Sequence, residues 1–167
     1  MLGRKGMPVH ISSIENYISD AYLDRLSPVL PASSGKRAAI IGSGPAGITI
    51  AVLLAQKGHD VTIFESRERI GGVLRYGIPA FRLPKTILDR YKTQLLKMGI
   101  HIRPNTSIGG ALTVDDLQRD GYQAILSEPA YGVPKNLESP GKAWVTSTLP
   151  LIISLIPMYM IWANIWQ

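Results

Sequence analysis

An α/β fold built on a parallel sheet, preceded by a short helical segment, is what this 167-residue sequence predicts. Three observations carry the prediction. A compact apolar run, Ala38 to Ile41, leads directly into glycines; Pro45 to about Lys57 then suits a helix ended by Gly58; and Asp60 to Glu65 is a second run rich in β-branched residues. Strand, turn, helix and strand in so short a span make a βαβ unit, whose strands lie parallel.

The other elements follow in chain order. Met1 to Pro8 is short and basic and reads as an approach segment. Ser12 with Glu15 has the spacing of a capping box, and Ile14, Tyr17, Ile18, Ala21 and Tyr22 recur on one helical face, which predicts an amphipathic helix ending near Leu26. The proline- and serine-rich stretch Ser27 to Lys36 reads as a linker. Beyond the βαβ unit, Pro84 suits the first position of a helix with Ile87, Leu88, Tyr91, Leu95 and Met98 inward and Gly99 closing it. Ile100 to Arg103 is a short strand, Thr113 with Asp116 caps a short helix through Arg119, and Tyr122 to Leu126 begins another strand. The expected organisation is a linker-helix segment over 1–35, a dinucleotide-binding portion over 36–126 and an aberrant tail over 127–167.

Composition narrows the function. The net charge of +6 suits an anionic partner, but the basic residues are scattered rather than gathered into an aromatic-lined stripe, which argues against nucleic acid. With no cysteine, the chain offers no disulfide, no thiolate nucleophile and no cysteine-ligated metal or cluster. His10, His59 and His101 lack metal-ligand spacing, and no metal site is expected. The first thirty residues carry no signal-peptide core, so a cytoplasmic location is expected.

The chemistry sits in IIGSGPAGITIAVLLAQKGHDVTIFE, where Gly42, Gly44 and Gly47 have G-x-G-x-x-G spacing between strand and helix. Gly42 permits the tight turn, Gly44 lets backbone approach a pyrophosphate, and Gly47 lets the helix press on the strand; the free N–H groups of the helix start then face the anion. Glu65, at the end of the second strand, is placed to accept hydrogen bonds from ribose hydroxyls. A carboxylate there repels a 2'-phosphate, so FAD or NAD is expected in preference to NADP. This is a Rossmann-like domain, and the second glycine pair, Gly71 and Gly72, favours a flavin nucleotide, because the chain there would pass close to the cofactor.

GSGPAG, Glu65, GGVLRYGIPAFRLPK and the helix ending KMGI together resemble the small (beta) subunit of NADPH-dependent glutamate synthase and its relatives, including the flavin-binding part of dihydropyrimidine dehydrogenase. The resemblance covers Met1 to Ile125. It implies FAD held by Gly42, Ser43, Gly44, Pro45, Ala46, Gly47, Glu65, Gly72, Leu74 and Arg82, with Ile108 packing near the cofactor. Arg82 is the cation best suited to the pyrophosphate, whereas Arg75 and Lys85 read as surface charges. No residue is assigned a catalytic role. The reaction so implied is hydride transfer from NADPH to FAD, then single-electron passage to 4Fe-4S clusters and a partner subunit or domain. The family's NADPH and cluster sites have no counterpart in this sequence, so the chain by itself is expected to be inactive, a fragment of an oxidoreductase.

The family pattern fails after Ile125. Relatives continue from GYQAI into an I-G-T-G turn, where this chain has LSEPAYGVPK, and its end, Leu149 to Gln167, is uncharged. A shift of one base in the reading frame joins the two departures. Read one base back, Tyr159 after Met158 must give valine, Ile161 after Met160 aspartate, Val145 after Trp144 glycine and Ala163 after Trp162 glycine. With permitted codons elsewhere, Ser127 to Lys135 becomes IGTGVWRPK. The alternative is a non-enzymatic, membrane-tethered dinucleotide-binding module using Leu149 to Gln167 as an anchor, but Pro150, Pro157 and Asn164 interrupt that stretch and only Lys142 orients it. Resequencing the gene is the check: a lost base near codon 126 is expected, and an intact frame with codons incompatible with the reconstruction would exclude it.

Overall fold

The computed structural model describes residues 9–25 and 29–127. Strands β1 (Arg37–Ile41), β2 (Asp60–Phe64), β3 (His101–Arg103) and β4 (Ala124–Ser127) form one sheet of order β3-β2-β1-β4, and every pairing is parallel. Helices α1 (Ile11–Tyr22), α2 (Pro45–Ala55), α3 (Val73–Tyr76), α4 (Lys85–Lys97) and α5 (Val114–Arg119) lie between and before them. The expected βαβ unit is β1-α2-β2, with Ala39 opposite Thr62 and Ile40 opposite Ile63. Of the expected tail only Ser127 is described, as the last residue of β4 opposite Ile41, and the rest with its uncharged end lies outside the described residues; among the described residues, no helix is long and apolar enough to cross a membrane.

Alternation along the strands divides the core by sheet face. Ile40, Val61 and Ile63 point to one side, where Ile48, Ala51, Val52 and Ala55 of α2 and Leu95 and Met98 from α4 and its end close over them. Ala39 and Phe64 point to the other, where Leu117 of α5 and Tyr122 cover them. Phe64 and Tyr122 meet edge to face at 5.7 Å, and the buried Tyr122 hydroxyl pairs with Thr62 Oγ1 at 3.0 Å. Helices on both faces are what a parallel sheet requires, since neither face is left to water. The strand order reverses beside β1, with β2 and β3 to one side and β4 to the other.

The elements match the expected ones with local differences. Helix α1 starts one residue before Ser12, behind His10, and no side chain caps it; the expected box of Ser12 and Glu15 does not form. Its helical winding ends at Tyr22 and tightens into a 3-10 turn over Leu23–Arg25. Pro84 is the N-cap of α4 rather than its first residue, because its ψ of 128° is still extended. The box of Thr113 and Asp116 does form: Asp116 N donates to Thr113 Oγ1 at 3.1 Å, and the Asp116 carboxylate accepts from Thr113 N at 2.8 Å. Helix α3 had no sequence expectation behind it, being a single turn between glycines.

Segment α1 is fixed to the sheet layer at its C-terminal end. None of its residues is buried, whereas Leu23 just beyond is only 5% exposed and joins the core against α2 and α4. Arg90 of α4 pairs with both Asp20 and Asp24, and the buried Gln94 donates to the carbonyl of Leu23 at 2.9 Å. Exposed ion pairs contribute about 0–1 kcal/mol each, while full burial of a leucine contributes about 1.5–3 kcal/mol. Leu23 is therefore the main attachment and Arg90 sets the direction.

The linker is also pinned. Ser34 N donates to the carbonyl of Gly58 at 2.8 Å, and Asp60 N to that of Lys36 at 2.9 Å, laying 32–36 across the end of α2. Gly58 has φ +78°, and a Cβ there would lie 2.3 Å from the carbonyl oxygen of Ala32. Gly58→Ala is expected to destabilise the fold by about 1–3 kcal/mol, measured by urea denaturation. A second expectation concerns pH. Hydrogen bonds from the Thr113 side chain and backbone, followed by Arg119, hold the Asp116 carboxyl below its ordinary value. Its contribution is thus present above the unfolded carboxylate value of about 3.9 and is lost as pH falls through the lower folded value. Asp116→Asn should flatten the acid limb of the stability profile, read by thermal melts across pH.

Candidate functional site

The turn that leaves β1 lies at the carboxyl end of the sheet, beside the reversal of strand order, where ligands of open α/β sheets bind. Gly42, at φ +102°, makes the turn and donates its N–H to the carbonyl of Phe64 at 2.8 Å, so the turn is stitched to the end of β2. Gly44 is the N-cap of α2, with Pro45 following; no side chain caps the helix. Pro45, Ala46 and Gly47 are buried, and Ile48 N closes the first helical bond on the carbonyl of Gly44 at 3.0 Å. A helix start without a side-chain cap, facing out from the sheet end, suits an anion.

Glu65 follows β2 directly. Its backbone is clamped from both sides: its N–H donates to Arg103 at 2.9 Å and its carbonyl accepts from Thr106 at 2.8 Å. The side chain is 6% exposed. One carboxylate oxygen, Oε2, accepts from Ser43 N at 3.0 Å and from the Ser43 hydroxyl; the other, Oε1, accepts from Arg67 N at 2.9 Å and Ser66 Oγ at 3.2 Å. Acid and glycine turn are thereby one hydrogen-bonded unit.

A third segment closes on that unit. Gly71 N donates to both the carbonyl and the hydroxyl of Ser43, at 3.0 and 3.2 Å. Gly72, at φ +49°, presses against the turn so closely that a Cβ would sit 2.9 Å from Gly44 Cα. The glycine pair, read from the sequence as an approach to cofactor, packs here against the glycine turn. Leu74 of α3 is buried. Arg75 and Lys85, read as surface charges, are tethers. Arg75 Nε donates to the carbonyl of Ile70 at 2.8 Å, its guanidinium pairs with Asp89 of α4, and its side chain is 7% exposed. Lys85 Nζ donates to the carbonyl of Leu74 at 2.7 Å and to that of Ile78, closing the end of α3.

Two expected site residues stand apart. Arg82 is exposed in the loop between α3 and α4, next to Phe81, which is 87% exposed. Ile108 packs with Leu112 on the Phe64–Leu117–Tyr122 side of the sheet, one residue in sequence from Gly109, whose N–H binds the carbonyl of Leu112 at 2.6 Å. The sequence reading missed Ser43 as the residue joining turn, acid and second glycine pair. Its position between two glycines was the available signal, since only its side chain in that stretch can bond sideways. The histidines serve locally: His59 Nδ1 lies 2.6 Å from Ser34 Oγ, and His101 lies 3.7 Å from Asp60.

Residues 40–94 match the model of an NAD(P)-binding Rossmann-like domain. Among curated proteins, the chain is 39% identical over 121 residues to the NAD-dependent dihydropyrimidine dehydrogenase subunit PreT of Salmonella typhimurium, covering 71% of this chain and 29% of that protein. It is 37% identical over 145 residues to the glutamate synthase [NADPH] small chain of Mycobacterium tuberculosis, covering 85% of this chain and 30% of the relative. The chain thus spans about three tenths of the length of these relatives. Among solved structures, Mycobacterium tuberculosis FprA in complex with NADPH superposes with a TM-score of 0.53 at 20% identity, covering 64% of this chain and 25% of that one, which shows the fold. The resemblance carried by the motifs holds: the chain is similar to glutamate synthase small chains and PreT, which are oxidoreductases, and its fold is Rossmann-like α/β. Gly72→Ala, strained in φ and thrust against Gly44, is expected to destabilise by about 1–3 kcal/mol and to loosen the turn, read by denaturation and by hydrogen exchange at 42–48.

Proposed function

We propose that 36–126 is the FAD-binding part of an NADPH-dependent oxidoreductase of the glutamate synthase small-subunit kind, acting in the cytoplasm with a partner subunit or domain. The observation that supports it best is the Gly71–Gly72 segment closing on the glycine turn, since a site for NAD alone needs only the turn and the acid. The residues fit a dinucleotide: the α2 start carries no side-chain cap, and a buried carboxylate stands beside it. In the whole protein, electrons would pass from NADPH to FAD and then singly through iron-sulfur clusters to the partner.

The chain's own residues bind and orient. At the Gly42 to Gly47 turn the start of α2, which carries no side-chain cap, turns its positive end to the pyrophosphate, and Gly44 lets the backbone approach it. Glu65 receives the adenosine sugar and disfavours a phosphorylated one. Gly72 and Leu74 hold the segment that covers the turn, the exposed Arg82 supplies a cation toward the phosphates, and Ile108 backs the adjoining sheet face. Bound flavin supplies the redox chemistry; the protein supplies position and electrostatics.

FAD is expected to raise the melting temperature of the chain and NAD to raise it less, with Gly44→Val abolishing the FAD effect. Thermal shift with visible absorption reads this. A colourless protein indifferent to FAD, in this chain and in one carrying the restored frame, would overturn the proposal.

A further inference from the structure

Glu65 holds a full complement of donors before any ligand arrives. A carboxylate has about four lone-pair sites, and all are used: Ser43 N and Oγ on Oε2, Arg67 N and Ser66 Oγ on Oε1. A sugar hydroxyl that binds this acid must therefore displace a donor already in place. The backbone N–H groups of Ser43 and Arg67 cannot leave without moving the chain. The Ser43 hydroxyl is fully buried and also receives Gly71 N–H, so its departure would strand a second group. Ser66 differs on every count: the residue is exposed, its bond of 3.2 Å is the longest measured here, and rotation about one side-chain bond delivers its hydroxyl to water.

We propose that Ser66 is a specificity-determining residue, whose hydroxyl occupies the place on Glu65 Oε1 that a ribose hydroxyl takes when a nucleotide binds. This rests on the dinucleotide reading above and adds to it the atom exchanged. A carboxylate so deeply buried loses stability if a lone pair is left without a donor. Ser66 fills that place in the free protein and yields it at small cost, because water replaces Glu65 as its partner. The exchange rewards a ligand with a hydroxyl at that point and gives nothing to one without. Ser66 thereby moderates selection for an intact ribose, weakening the binding of nucleotides that carry the hydroxyl and leaving those without it unaffected.

The test uses the full chain and three ligands, FAD, ADP and 2',3'-dideoxy-ADP, titrated calorimetrically against wild type, Ser66→Ala and Ser66→Thr. Ser66 is exposed and its alanine variant should fold as wild type does. Ser66→Ala is expected to bind ADP and FAD roughly two- to tenfold more tightly, one competing hydrogen bond having been removed. Its affinity for dideoxy-ADP should stay unchanged, and Ser66→Thr, which keeps the hydroxyl, should match wild type. Equal changes for ADP and dideoxy-ADP, or none for ADP, would overturn the role of Ser66 while leaving nucleotide binding standing. Failure of the wild-type chain to bind FAD and ADP at all would overturn the dinucleotide reading and this inference together.

Discussion

A carboxylate cannot be taken out of water alone, and the arrangement around Glu65 follows from that constraint. Burial of the acid at the end of β2 demands donors, and the nearest are the amide and hydroxyl of Ser43 in the turn beside it. Meeting the demand fixes the turn against β2, and the turn in turn fixes the start of α2. Gly71 and Gly72 are then drawn in because Ser43 has a carbonyl and a hydroxyl oxygen left to accept. The turn at Ser43, the acid at Glu65 and the glycine pair just after it become one hydrogen-bonded element through a single buried side chain and its partners.

The sheet beneath exists to present that element. Its parallel pairing puts all carboxyl ends on one side, and the reversal of order beside β1 opens space there. Packing on both faces, by α2 and α4 on one and by α5 with Tyr122 on the other, leaves the strands no freedom to slide. A one-residue slip would exchange Ile40 and Ile63 for Ala39 and Thr62 across the sheet.

Most of this frame was legible in the residues. The apolar runs of β1 and β2, the glycine spacing, the inward stripe of α4 and the box of Thr113 and Asp116 each act locally, so sequence neighbours suffice to reveal them. What escaped notice depends on distant partners. Arg75 reads as a surface cation until Asp89 and the carbonyl of Ile70 are beside it. Ser43 is expected against the FAD, and its structural part shows only when Glu65, 22 positions on, turns back to it. Ser12 and Glu15 show the reverse failure: the spacing of a box is present, but the helix starts at Ile11 and leaves Ser12 inside it. Nothing buried selects that boundary, and an exposed helix end is free to choose another.

The leading helix has a mechanical character that its contacts define. Leu23, Gln94 and Arg90 grip it at one end, and its apolar stripe of Ile11, Ile14, Tyr17 and Ile18 faces water along the rest. It is a cantilever. Its exposed apolar stripe is therefore carried on an arm whose described hold on the sheet layer lies at one end, around Leu23.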